Sequence, residues 1–452
     1  MLITSKPKNI LFISSRSDIA GGENYLLTVM RHLDKERFNP IVMVPGEGVF
    51  HDELIKLGIE SFILEMNYNW LTPPEEWYQH LSDIPSRVRN LTDLIRKKNI
   101  ALVHTNSNII LEGALAARLA GVHHLFLAHL EFLPDNPIYQ RFTLDACSYS
   151  QLMGDLSSHI VAVSQSVAQS YSPPLDQKQI QVINNGLELE KFDHAVENID
   201  GSLRSELGLS DDAIIVAAVG RIHPDKGFDF YVEAAGIVIS QKSNVHFLLI
   251  GKDEKFDFCK TLRSQVKELN ISDNFHFLGQ RNDIPKILAE TDVFVLSSRV
   301  EGHPFVLLEA MACACPSIAT RCGGVEDTVT DDTGYIIDIG DIQALASAIT
   351  KLANDPDLRN KMALSARTRV KNHFEASSCV RSLANAYDMI LSQPEPTPGS
   401  YVIDLFLQAI TENGYLGKQV IQLNERIRKL EHLADKFWNN PIYLLAKKFI
   451  RH

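Results

Sequence analysis

A chain of 452 residues exceeds what one ordinary hydrophobic core organises, so two large units are expected. Its 45% hydrophobic and 22% charged residues exclude wholesale disorder and fibrous repeats, and a formal net charge of -12 excludes a general nucleic-acid binder. Six cysteines with no C-x-x-C pair exclude a disulfide framework and fit a reducing compartment.

Cys313, Cys315 and Cys322 form one cluster, read as small buried residues in preference to a zinc site. The N-terminal apolar run Ile10 to Ile13 is too brief for a signal-peptide core. No apolar stretch approaches the roughly 20 residues that span a bilayer. A cytoplasmic protein is expected, with peripheral contact to the membrane's cytoplasmic face kept open.

Short β-branched runs bounded by turn formers alternate with amphipathic segments, the pattern of parallel α/β sheets. Strands are predicted at Ile10 to Ile13, Ile41 to Val44, Ala101 to His104, Leu125 to His129 and Ile160 to Val163. Gly21-Gly22 follows the first of these, and His104 and His129 each end one, which places all three on the rim where ligands of open sheets bind. Between them Arg87, Arg89, Arg96, Lys97 and Lys98 read as a solvated helix face, the other reading being contact with a membrane or a lipid-linked acceptor.

A turn-rich stretch from Asn184-Asn185-Gly186 to Ser210 is read as the connection to a second wound unit, with strands at Ile214 to Val219, Val245 to Ile250, Val293 to Leu296 and Ser317 to Thr320. The expected division is 1–185, 186–374, a helix near 375–392 returning to the first unit, a linker at 393–400 and a helical tail at 401–452. The linker rests on Pro394, Pro396 and Pro398, which cannot continue a helix. In the tail Leu416, Val420, Leu423, Ile427, Leu430, Ala434 and Phe437 alternate four- and three-residue steps, an a/d seam. Three placements are open for it: self-association through 416–437, packing on the chain's own domains, or delivery of the basic apolar end, Asn440 to His452, to a bilayer.

Two segments carry chemistry. In Val219-Gly220-Arg221-Ile222-His223-Pro224-Asp225-Lys226-Gly227 a strand stops at a glycine, and an arginine fork and a lysine point charge lie five residues apart, a combination suited to a diphosphate. Solvated cations beside a turn are the other reading. In Ser298 to Ala312, Glu301 precedes a loop shaped by Gly302 and Pro304, and the helix after it carries Glu309. Free amides at that helix start hold anionic oxygens and the carboxylates accept from sugar hydroxyls, although carboxylates at this spacing are also common on surface helices. There is no G-x-G-x-x-G fingerprint and no P-loop.

Gly220-Arg221 to Lys226-Gly227 followed by Glu301 to Glu309, with Asn185-Gly186, Phe192, Gly279, Asp283, Glu309-Ala310-Met311-Ala312, Gly323-Gly324 and Gly334 in order, resembles the family 4 glycosyltransferases. The resemblance implies a GT-B fold, two Rossmann-like domains facing across a cleft, here with a C-terminal helical extension. It also implies sugar transfer from a nucleotide sugar, UDP- or GDP-linked, to a glycan or lipid-linked acceptor in bacterial cell-surface polysaccharide or glycolipid synthesis. Transfer is expected with retention of configuration, and with no metal and no cofactor beyond the nucleotide-sugar co-substrate.

By the same resemblance Arg221 and Lys226 bind the diphosphate, Glu309 the ribose and Glu301 the donor sugar, and His129 contacts the sugar. Gly22, Gly220, Gly302, His303, Pro304, Phe305 and Val306 line the donor. The chain departs from the pattern at Gly21-Gly22-Glu23-Asn24, where Gly-Gly-Ala-Glu is usual, at Ala314 in place of glycine, and at His303 in place of an aromatic residue or serine. A non-catalytic scaffold of the same fold and another sugar-nucleotide enzyme, such as an epimerase, are the competing readings.

Overall fold

The computed structural model describes residues 6–66, 74–108, 110–132, 146–171, 175–176, 179–253, 257–398 and 401–438. The apolar basic end from Asn440 lies outside the described residues, as do the side chains of Val420, Leu430, Ala434 and Phe437.

Within these residues the first half carries strands β1 (Lys8–Ile13), β2 (Phe38–Val44), β3 (Glu60–Ile63), β4 (Ile100–Thr105), β5 (His123–Ala128), β6 (His159–Ala162) and β7 (Ile180–Val182). They form one sheet in the order β3-β2-β1-β4-β5-β6-β7, with every pairing parallel. The second half carries β8 (Ile214–Val219), β9 (Val245–Ile250), β10 (Phe275–Gly279), β11 (Val293–Leu296), β12 (Ser317–Thr320) and β13 (Gly334–Ile337), parallel in the order β10-β9-β8-β11-β12-β13. Each sheet reverses its winding once, at β1/β4 and at β8/β11. Those are the points where loops diverge and leave a crevice beyond the strand ends.

All nine predicted strands are present, and the four that prediction missed, β3, β7, β10 and β13, are the two edges of each sheet. Interior strands are covered on both faces and so read as unbroken apolar runs, as β8 and β11 do. An edge strand is covered less, and β3 (Glu60-Ser61-Phe62-Ile63) has no fully buried residue to mark it. The predicted strand to His129 ends one residue earlier, at Ala128.

Core packing decides which unit owns each helix. Helix Ala376–Leu391 buries Val380, Leu383, Tyr387 and Ile390 in the core of the first sheet, and helix Tyr401–Trp438 adds Ile403 and Leu407 to it. The second sheet has apolar clusters on both faces, one built around Tyr231, Phe247 and Ile349, the other around Phe294, Leu307 and Met311. The chain crosses between units twice, side by side: the Leu187 amide donates to Phe374 O at 2.7 Å and the Ala376 amide to Leu187 O at 3.1 Å. Gly186 is required there, since a β-carbon would lie 2.7 Å from Ala376 Cα. The crossing is shorter than the predicted stretch, because helices Glu190–Glu197 and Ser202–Leu207 occupy most of it and bury Phe192 and Leu203 with the second unit.

One expectation about charge is corrected. Arg87 is buried in helix Pro74–Lys97, where its Nε lies 2.8 Å from Glu112 Oε1, so it belongs to an internal ion pair. Arg89, Arg96 and Lys97 are exposed, as a solvated face requires, with Arg96 donating to Leu119 O and the half-buried Lys98 pairing with Glu60.

Candidate active site

The two winding reversals face each other, and the site is built from the loops that leave them. On the second unit Gly220 follows β8 and donates its amide to Ile250 O at 2.9 Å. A β-carbon at Gly251 would sit 1.7 Å from Gly220 O, so these loops lie together only because that residue is glycine. Arg221 is exposed next to Gly220, close enough to the first unit for its charge to act on Asp18. The Asp18 carboxyl is held below its usual range chiefly by its hydrogen bonds from Arg16, at 2.9 and 2.6 Å, and to a smaller degree by Arg221.

Lys226 ends a 3-10 turn, Pro224–Lys226, that His223 opens by accepting from the Asp225 amide and Gly227 closes at φ 60°. A β-carbon on Gly227 would lie 2.0 Å from Ser297 O, and Ser297 Oγ donates to Lys226 O at 2.9 Å. Arg299 clamps the same turn: its amide reaches Asp225 O at 2.7 Å, its guanidinium pairs with Asp229 at 2.6 Å, and it lies 4.1 Å over the Phe230 ring. The result is a lysine pointing at a fixed place, with Nζ 2.6 Å from Glu301 Oε1. Ser298 Oγ donates to the same oxygen at 2.7 Å, so one carboxylate oxygen is held twice while the other carries no such bond from the described residues. Lys226 and Glu301, nominated separately from sequence, are in direct contact.

Helix Phe305–Ala312 starts at Pro304 and carries Glu309 as its fifth residue. The first amides of such a helix have no partner within it, so those of Phe305 and Val306 are available to an anion. The Glu309 carboxylate has no hydrogen-bond or ion-pair partner among the described residues. Burial raises its carboxyl above the usual value, and Lys191 draws it partly back. A desolvated carboxylate whose acceptor capacity is unspent is suited to hydroxyl donors.

On the first unit Gly22 is the second residue of helix Gly21–His32, and its carbonyl accepts from Asn106 Nδ2 at 3.0 Å. Because a carbonyl can only accept, Asn106 must turn Oδ1 the other way, toward His129 Nε2 at 2.7 Å. That nitrogen therefore carries the proton and Nδ1 is left as an acceptor. Asn108 Oδ1 holds the His129 amide at 2.9 Å, Tyr25 packs edge-on against the ring at 5.5 Å, and burial lowers the imidazole pKa to about 4. Neither asparagine was singled out from sequence, although Asn106-Ser107-Asn108 directly follows β4 as a polar run at a strand end.

Two other candidates do not reach the cleft. His104 lies inside β4, fully buried, with Nδ1 2.6 Å from the Tyr387 hydroxyl, and so joins helix Ala376–Leu391 to the sheet. His303 turns beneath its loop, 4% exposed, with Nε2 3.2 Å from Thr328 Oγ1 and its ring against Phe374, and burial lowers its pKa to about 3. Only its backbone faces the loop's partners, with its carbonyl accepting from Asn185 Nδ2 at 2.8 Å. Glu23 closes its own helix start, accepting from Ser14 Oγ and the Ala20 amide. Cys313 and Cys315 donate to backbone carbonyls, and burial pushes the Cys313 thiol up to about 12.

The rims touch through glycines. A β-carbon on Gly302 would lie 1.7 Å from His129 O, and one on Gly323 would lie 2.9 Å from Glu131 Oε1. The Gly324 amide donates to Ser166 Oγ at 2.6 Å, and Asp327 accepts from the Gln165 amide at 2.7 Å. Bare backbone thus brings Glu301 and His129 to the same end of the cleft.

Two family models cover most of the chain: "Glycosyltransferase Family 4" matches residues 19–191 and "Glycosyl transferases group 1" matches residues 201–369. The chain is 28% identical over 326 residues, 69% of its length and 81% of the relative's, to UDP-Gal:alpha-D-GlcNAc-diphosphoundecaprenol alpha-1,3-galactosyltransferase of Escherichia coli. It is 31% identical over 282 residues, 58% of its length and 72% of the relative's, to alpha-maltose-1-phosphate synthase of Mycolicibacterium smegmatis. Three further curated relatives are matched over only 49%, 50% and 63% of their own lengths. Among solved structures, Anabaena HepE in complex with UDP superposes with a TM-score of 0.72 at 20% identity, covering 84% of this chain and all of that one. The chain belongs to glycosyltransferase family 4: it is a GT-B glycosyltransferase that acts on nucleotide-sugar donors.

Proposed function

We propose that the chain transfers a sugar from a UDP-sugar to a glycan or lipid-linked acceptor, with retention of anomeric configuration and without a divalent metal ion. The observation that carries this reading is the convergence, beyond β8 and β11, of two cations, a pair of carboxylates and an open helix start. The choice of UDP is supported by the E. coli relative, named for UDP-Gal, and by HepE, whose structures hold UDP and UDP-glucose. The E. coli relative's diphosphoundecaprenol-linked acceptor supports the acceptor class.

In this mechanism Arg221 and Lys226 hold the diphosphate and Glu309 accepts from the ribose. Glu301, steadied by Ser298 and Lys226, accepts from the sugar, and His129 accepts at Nδ1 from a sugar hydroxyl. As the bond from the anomeric carbon to the phosphate oxygen breaks, charge grows on the β-phosphate. Arg221, the clamped Lys226 and the amides of Phe305 and Val306 stabilise it. These groups supply the positive charge for which a metal is otherwise recruited. The departing phosphate takes the acceptor hydroxyl's proton, so no side chain is assigned as general base.

The test is transfer from a panel of UDP-, GDP- and ADP-sugars with and without EDTA, with a membrane extract as acceptor and the product's anomeric configuration read by NMR. A UDP-sugar used equally well in EDTA, giving the donor's own configuration, is the expected result. Inversion, loss of turnover in EDTA, or a preference for GDP-sugars would each remove the corresponding part of the proposal.

A further inference from the structure

Helix Tyr401–Trp438 changes the face it buries partway along. Ile403 and Leu407 lie in the first unit's core, Ile410 packs against it, and Gly414 and Gly417 are buried next in the same alternation of four- and three-residue steps. This stripe rests on helix Pro74–Lys97. Beyond it the apolar series shifts by one residue, about 100° round the helix, to the seam that begins at Leu416. Leu416, Leu423 and Ile427 are 55%, 57% and 43% exposed, so a single chain leaves these three seam residues in water.

The seam's residue choice identifies its occupant. In heptad notation Val420, Ile427 and Ala434 fall at a, while Leu416, Leu423, Leu430 and Phe437 fall at d. β-Branched residues at a with leucine at d favour two parallel strands. Arg426 falls at g and Glu431 at the following e. In a parallel, in-register pair, g of one helix faces the next e of the other, so Arg426 meets Glu431 twice by symmetry. In an antiparallel pair g faces g and e faces e, and that match is lost.

We propose that residues 416–437 form a parallel, in-register two-stranded coiled coil with a second copy of this chain, carrying two transferase units on one stalk. Sedimentation of the full chain at tens of micromolar should give twice the chain mass. Leu423→Asp should weaken the dimer by at least about 100-fold, because it places two charges in the seam. Since Leu423 is exposed on the single chain, this variant should keep its melting temperature and its sugar-nucleotide turnover. Arg426→Glu and Glu431→Arg should each weaken the dimer about tenfold. Mixing those two variants, or combining both changes in one chain, should restore it. A monomeric wild type, whether or not it is captured by anionic vesicles, overturns the proposal, as does a dimer indifferent to Leu423→Asp. Charge swaps that fail to rescue one another overturn the parallel register.

Discussion

The two rims of the cleft achieve rigidity differently. On the second unit the working groups are charged and lie in two short segments, and charge-assisted contacts fix the pair at their centre: Lys226 is held by Glu301, and its turn by Arg299 on Asp229. On the first unit Gly22, Asn106, Asn108 and His129 come from one helix start and two loops and are held by neutral hydrogen bonds, two of them to backbone. The charged rim is suited to an anion whose charge grows during the reaction. The neutral rim is suited to orienting hydroxyls without adding a field of its own.

Substitutions break this comparison at different strengths. Lys226→Ala should lower donor turnover by about 10² to 10³, as loss of a preorganised charge-stabilising group does, whereas Glu309→Ala, which removes the ribose's acceptor, should raise the donor KM by at least about tenfold. Gly302→Ala needs no charge change, yet its β-carbon would lie 1.7 Å from His129 O. A misplacement of the rims by even about 1 Å should cost about 10² in kcat/KM. On the neutral rim Asn106→Ala should cost only about tenfold, the scale of one hydrogen bond of about 1.4 kcal/mol. Its specific signature is a His129 ring no longer confined to the Nε2-protonated tautomer by 15N NMR.

Acid sharpens the contrast further. His124, His129 and His303 have folded pKa values near 3, 4 and 3, lowered by burial from 6.5. Between pH 6.5 and about 4 the unfolded chain binds protons that the folded chain does not, so stability should fall as pH is lowered through that window. A melting temperature that stays flat from pH 7 to about 4 would contradict these environments. The smallest effect concerns Ala314, which follows the end of helix Phe305–Ala312 at φ 58°, a left-handed position where glycine carries no penalty. Ala314→Gly should raise stability by about 1 kcal/mol, measured by denaturant unfolding, with turnover unchanged.

The same contrast explains what the sequence made legible. Interior strands could be read because burial on both faces leaves apolar runs, and the segments around Arg221, Lys226, Glu301 and Glu309 because they stand in an ordered series of motifs that resembles a known family; each charge pair alone would also suit a solvated surface. Edge strands escaped since their exposed faces dilute that pattern. Asn106 and Asn108 escaped because an asparagine after a strand reads as an ordinary turn former, and only the fold brings it to His129. His303 was misread for the opposite reason: it stands in a donor-loop motif, but Thr328 and Phe374, distant in sequence, give its ring a buried seat.

The most direct test of the central claim is UDP binding measured by calorimetry for the wild type and for Arg221→Ala, Lys226→Ala and Glu309→Ala. One-to-one binding by the wild type, weakened at least about tenfold in each variant with melting temperatures unchanged, is the predicted result. UDP bound equally well by all four proteins would place the donor elsewhere and contradict the account.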